Sequence, residues 1–90
     1  MEKVFKALND PARRKILKLL AKRGPTNASE LLKEFNFTKA TLSHHLSVLK
    51  NADLIEARKE GRKIYFSLKT TVLEDLLIFL KDLLEREERK

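Results

Sequence analysis

The chain has 90 residues, 42% hydrophobic and 37% charged, with 20 lysines and arginines, 13 acidic residues and no cysteine. That length allows one small domain with a modest core, and the lack of cysteine excludes disulfides, thiolate metal sites and thiol catalysis. No apolar run reaches the ~18 residues of a membrane span and no signal-peptide core is present, so a globular cytoplasmic protein without membrane partners is expected.

The net charge of +7 is unevenly spread: residues 1–69 hold 16 lysines and arginines against 7 acidic residues, and residues 70–90 hold 4 against 6. A basic body suggests a polyanionic partner, with a different task for the acidic tail. Plain solubility is the alternative reading.

Residues 2–9 form a short amphipathic helix with Val4, Phe5 and Leu8 on a face that needs a partner. Asn9-Asp10-Pro11 breaks it. Asp10 can cap the next helix, with Pro11 at its first position, where a missing N–H costs nothing. This helix is predicted to run to about Lys22 and to bury Ile16, Leu17, Leu19 and Leu20. It leaves Arg13, Arg14, Lys15, Lys18 and Lys22 mostly outside, and Gly24-Pro25 ends it. Asn27-Ala28-Ser29-Glu30 fits a capping box for a helix over residues 28–35 that turns Leu31, Leu32 and Phe35 inward. A second capped helix follows after three residues, which is helix-turn-helix spacing over residues 28–51 and one that many non-binding helix pairs share.

That second helix, residues 38–50, has two unlike faces. At about 100° per residue, His45, Leu46 and Leu49 fall within about 60° of Leu42, while Ala40, Ser43, His44, Ser47 and Asn51 point the other way. Thr38 is the natural N-cap. An ordinary solvated face in this chain would carry Lys and Glu. Small hydrogen-bonding residues instead suit close approach to base edges in a DNA major groove, about 12 Å wide. His44 and His45 point about 100° apart and cannot serve one site. His45 reads as a packed structural residue and His44 as a groove contact. Neither has the partners of a catalytic triad, so no enzyme is expected.

Beyond Leu49 the period changes from 3.6 to 2. Residues 54–59 and 62–68 read as two strands joined at Glu60-Gly61, a hairpin over 54–68. Its tip gathers Arg58, Lys59, Arg62 and Lys63, as a wing tracking phosphates would. Lys39 and Lys50 can reach phosphates from the two ends of the helix, and Thr26 and Asn27 can offer backbone N–H groups. Tyr65 beside the cations either packs on the helix or touches the DNA backbone.

Thr71-Val72-Leu73-Glu74 fits a capping box for a last helix, predicted over residues 71–88. Its stripe of Leu73, Leu76, Leu77, Leu80, Leu83 and Leu84 is more apolar surface than one small domain can cover. The expected answer is a homodimer in which the helices at 1–9 and 71–88 pair across a two-fold axis. The charged end at residues 85–90 is expected to fray.

The fold predicted is mainly α within an α+β class: a single winged helix-turn-helix domain over 1–90, with a two-stranded wing and N- and C-terminal dimerisation helices. Its order of elements resembles the ArsR-type repressors of bacteria and archaea. Asn9-Asp10-Pro11-Ala12-Arg13-Arg14 before Ile16-Leu17 looks like their opening signature, and Ser29-Glu30-Leu31 with residues 38–49 like their helix-turn-helix. Leu54-Ile55, Glu60-Gly61-Arg62 and Tyr65-Phe66-Ser67-Leu68 resemble their wing. The ending at Thr70-Thr71-Val72-Leu73-Glu74-Asp75 is most similar to a small branch related to an autorepressor of a toxin-immunity operon.

The resemblance implies a dimeric repressor on palindromic operators. Carried over by position, Lys39, Ala40, Thr41, Ser43 and His44 would face bases or nearby phosphates. Many such repressors sense metals, through thiolates on the helix before the recognition helix or through His and carboxylates on the last helix. This chain has no cysteine, and its last helix offers Glu74, Asp75, Asp82 and Glu85 without histidine. Borderline and softer metals want imidazole or thiolate, so neither metal sensing nor any cofactor is expected. Two other readings share the fold: a repressor holding a small apolar effector at the dimer interface, and a winged helix that binds an acidic protein.

Overall fold

The computed structural model describes residues 1–85. Within them the order is α1 (Glu2–Leu8), α2 (Pro11–Arg23), β1 (Thr26–Asn27), α3 (Ala28–Leu32), α4 (Lys39–Asn51), β2 (Ile55–Glu60), β3 (Lys63–Leu68) and α5 (Thr71–Glu85). The part of the last predicted helix beyond residue 85, with the expected fraying there, lies outside the described residues.

Asp10 starts α2 as its chemistry demands. Its Oδ1 accepts from Ala12 N at 2.8 Å and Arg13 N at 3.3 Å, and Pro11 sits at the first helical position. Partial burial raises the Asp10 pKa, but these N–H bonds and the nearby charges of Arg13 and His45 outweigh it and hold the carboxyl below its ordinary 3.8. Gly24 then ends the helix at φ +78°.

The core lies where α2, α3, α4 and the base of the hairpin meet. Ile16, Leu20, Leu31, Leu42, Leu49, Leu54 and Ile55 are almost wholly buried there, with Val4 and Ala7 of α1 beside them. A seven-residue helix can turn only one narrow stripe inward. Val4 and Ala7 take it, and Phe5 stays 47% exposed. Val4 is therefore core and not free for a partner, contrary to the sequence-based expectation.

The sheet has three strands in the order β1-β3-β2, one more than predicted. Thr26 pairs with Phe66 and Asn27 with Tyr65; the hairpin runs from Ile55 opposite Leu68 to Glu60 opposite Lys63. Gly61, at φ +63°, supplies the positive φ that so tight a hairpin loop needs.

Four local expectations are corrected. α3 stops at Leu32 and not Phe35, because Lys33 and Glu34 turn the chain toward α4. Asn27 does cap α3 through Glu30 N at 3.0 Å, but the Glu30 carboxylate does not reach back; it pairs with Lys33 at 3.1 Å. Thr71 is the first helical residue of α5 rather than its cap, since Glu74 N–H donates to the carbonyl of Thr70 at 2.8 Å. Arg13 is buried, not solvated, and its partners are described below.

α4 ends in a Schellman arrangement that the sequence did not announce. Leu54 N–H donates to Leu49 O and Asp53 N–H to Lys50 O, both at 3.0 Å, with Asp53 left-handed at φ +60°. Asp tolerates that region better than most residues, yet glycine enters it without strain. The Asp53–Lys69 ion pair, 3.6 Å long and exposed, contributes little against this. Asp53→Gly is therefore expected to stabilise the fold by about 0.5–1 kcal/mol in urea denaturation. A loss of stability would show that the ion pair outweighs the strain.

Candidate nucleic-acid interface

Thr38 caps α4, its Oγ1 accepting from Thr41 N at 3.2 Å. The inner face of α4 is Leu42, His45, Leu46 and Leu49, all buried. The outer face follows the expected pattern: Lys39, Ala40, Ser43, His44, Ser47 and Lys50 are exposed and Thr41 is half-buried. No carboxylate stands on that exposed face, and no side chain on it but those of Lys39, His44 and Lys50 is larger than threonine. It can lie close against a flat partner that offers donors and acceptors.

α4 is held from below by the turn that precedes it. Phe35 and Phe37 stack with ring centroids 4.7 Å apart, and Phe37 meets the His45 ring at 5.4 Å. Lys15 crosses this turn, donating to Glu34 O at 2.8 Å with its ammonium 4.9 Å from the Phe35 centroid. Arg23 binds the Glu34 carboxylate at 2.8 Å, and that bond first, then the Arg23 charge, lowers the Glu34 pKa. Two cations of the basic body are thus spent inside the fold.

The wing carries Arg58, Lys59, Arg62 and Lys63, all exposed. Arg58 lies 3.2 Å from Glu60, but both side chains are more than half exposed, so the pair binds Arg58 weakly. Lys39 from α4 and Arg62 and Lys63 from the wing border one cleft of about 510 Å³, floored by Leu32, Ile64 and Phe66. One cation of the helix and two of the wing therefore lie along one continuous surface. Lys50, Arg58 and Lys59 do not border the cleft. Tyr65 is half-buried opposite Arg58 and Asn27.

Thr26 and Asn27, read from sequence as phosphate contacts, are 8% and 9% exposed. Pairing with β3 and the Asn27 cap account for them, so they leave the candidate surface.

The largest omission of the sequence reading is Arg13. Its Nε donates to Ala7 O at 2.8 Å, its Nη2 to Lys6 O at 3.1 Å and its Nη1 to His45 Nδ1 at 3.1 Å; the Asp10 carboxylate is 3.9 Å away. Arg13 lies three and four residues before Ile16 and Leu17, on their face, so the helical period did contain the signal. His45 is the packed, hydrogen-bonded residue expected, 9% exposed. Burial lowers its pKa most; Asp10 opposes this, and the charges of Arg13 and His44 add to it.

On α5 the start of the helix, as far as Leu76, packs home and the rest does not. Val72, Leu73 and Leu76 are half-buried against the core, whereas Leu77, Ile78, Phe79, Leu80, Leu83 and Leu84 are 44–77% exposed. Leu8, Leu73 and Leu76, expected at a dimer interface, thus spend much of their surface within the chain. Phe5 and the outer stripe from Leu77 to Leu84 remain uncovered.

Comparison with known proteins places this geometry. Residues 10–57 match the family model described as bacterial regulatory protein, arsR family. The chain is 44% identical over 86 residues to the transcriptional repressor SdpR of Bacillus subtilis, covering 96% of this chain and 94% of that protein. An ArsR-like transcriptional regulator from Rhodococcus superposes with a TM-score of 0.84 at 29% identity, covering 91% of this chain and 74% of that one. The solution structure of a homodimeric winged helix-turn-helix DNA-binding domain from Mycobacterium bovis, a possible ArsR-family regulator, gives a TM-score of 0.72 at 27% identity, covering 99% and 85%. These relatives are transcriptional regulators, not enzymes. With its helix-turn-helix, its basic wing and nearly its whole length matched, the chain belongs to the arsR family of bacterial regulatory proteins.

Proposed function

We propose that the protein is a homodimeric transcription repressor that blocks a promoter by occupying a palindromic operator, with no metal in the switch. The observation that carries this reading is the exposed face of α4, small and carboxylate-free beside a basic wing. Each subunit inserts α4 into a major groove, with half-sites about 34–36 Å apart. Ala40, Thr41, Ser43, His44 and Ser47 face base edges. Thr38, Lys39, Lys50, Arg58, Lys59, Arg62 and Lys63 hold the backbone, setting register without reading sequence.

The homodimer is supported by the uncovered leucines of α5 and by the dimeric Mycobacterium bovis domain. Metal independence is supported by donor chemistry: there is no cysteine, one histidine accepts from Arg13, and the other sits on the groove face. No group of three or more His, Asp or Glu side chains is gathered among the described residues.

The decisive experiment is titration against the protein's own upstream DNA and a scrambled duplex at near-physiological salt. A preference of ~10³ or more supports a specific, self-regulating repressor. Equal affinity would overturn autoregulation, and weak binding to every duplex would favour a protein partner. At a bound operator, Arg62→Ala and Lys63→Ala are each expected to lower the slope of log affinity against log salt by ~1 in every sequence context. An unchanged slope in both would remove the wing from the interface.

A further inference from the structure

Arg13 touches three elements at once. Its guanidinium donates to the carbonyls of Lys6 and Ala7, in the last turn of α1, and to Nδ1 of His45, in the middle of α4. A guanidinium has donors only and stays protonated throughout the working pH range. Nδ1 of His45 must then be the acceptor, which requires a neutral imidazole with its proton on Nε2.

We propose that Arg13 is a positioning residue for DNA recognition, and that it locks the recognition helix to α1 only while His45 is neutral. The proposal rests on the DNA-binding reading above. α1 also leaves Phe5 exposed, and the dimer reading pairs α1 as well as α5 across the two-fold axis, so this bond joins a pairing element of the protomer to its reading helix. The α1 carbonyls that Arg13 holds belong to its terminal turn, where Lys6 O also accepts from Asn9 N at 3.2 Å, so the guanidinium adds to that helix's C-terminal cap.

Protonating His45 removes the acceptor and sets two cations 3.1 Å apart in a site that is 9% exposed at both residues. The charged and titratable groups around the ring are few. Arg13 and the Asp10 carboxylate face it from α2 and its cap, Lys6 enters through its carbonyl only, and His44 adjoins it on α4 at a ring distance of 5.9 Å. Phe37 adds an uncharged ring, tilted against His45 at 5.4 Å. Asp10 alone opposes the repulsion, and it is already engaged by the backbone of α2.

Operator affinity is therefore expected to fall with acidification in the range below the ordinary imidazole value of 6.5, where burial has moved His45, with a slope of at most one proton per protomer, or ~100-fold per pH unit for a dimer on its operator. Comparing wild type with His45→Asn, both carrying His44 on the groove face, isolates the contribution of His45. The Asn amide oxygen replaces Nδ1 as acceptor and does not titrate, so this variant should bind at pH 7.5 within a few-fold of wild type and lose the acid-sensitive component. Arg13→Met should weaken binding at pH 7.5 and flatten the same component.

Imidazole ¹⁵N shifts of the wild type, free of DNA, provide the second readout. At pH 7.5 His45 is expected as the Nε2–H tautomer with an accepting Nδ1. The opposite tautomer or an imidazolium there overturns the proposal without reference to any operator. So does an identical acid response in wild type and His45→Asn. If no duplex is bound specifically at any pH while the tautomer is as expected, the repressor reading fails and the Arg13–His45 lock stands as a structural bond only.

Discussion

Replacing Leu80 and Leu83 together by glutamate is expected to leave a folded monomer and to lower operator affinity by ~10²–10⁴. Both side chains are already half exposed in the isolated chain, at 44% and 60%, so their loss opens no hole in its core. In a symmetric pair each substitution appears twice, which buries four carboxylates among leucines, at several kcal/mol per unpaired ion. The affinity follows from geometry. A dimer binds its second half-site as an intramolecular event, and that advantage disappears when the subunits separate. Sedimentation and a duplex titration on the same preparation check both halves. A variant that still sediments as a dimer would move the interface away from α5, and a monomer with undiminished affinity would remove the need for two half-sites.

The second large effect is on stability. Leu49→Ala is expected to cost about 2–5 kcal/mol, out of the 5–15 kcal/mol available to a domain of this kind. Leu49 is wholly buried where α4 meets the core, and its carbonyl also takes the Schellman bond from Leu54. That corner cannot easily collapse into the vacated space. The conservative Leu49→Met should cost under ~1.5 kcal/mol, which separates the cavity from loss of shape. Urea denaturation at fixed protein concentration measures both. A cost below ~1 kcal/mol for the alanine variant would mean that α4 is held mainly by its ends.

Much of this architecture was legible in residue types. Asp10 before Pro11 and Gly24 after Arg23 bound α2 by simple backbone chemistry, and the leucine spacing of α4 separated its two faces residue by residue. What escaped has physical reasons. A strand of two residues shows no period, so Thr26 and Asn27 could not be told from a helix entry. The sheet that claims them is fixed by Phe66 and Tyr65, about 40 positions later. Arg13 sat on the buried face by its spacing, but charge argued for solvent, and only the carbonyls of α1 and the ring of His45 explain its burial. Asp53 adopts its left-handed turn because the Leu49 and Lys50 carbonyls need donors there, a demand that local composition does not reveal. Val4 and Phe5 were placed on one face, and the short helix has room for only one of them inside.

The two-residue strand β1 has a consequence for how operators can diverge. It hydrogen-bonds to the wing on one side and runs directly into α3 on the other, so the helix-turn-helix and the hairpin form one rigid caliper. On the proposed reading, the offset between the bases met by α4 and the phosphates met by the wing is then a constant of the fold. Variation between target promoters is confined to the letters under α4 and to the spacer between half-sites, which the inter-subunit joint sets. An insertion inside a half-site would defeat every protomer alike, whereas a change of spacer could be answered by adjusting the pairing helices α1 and α5.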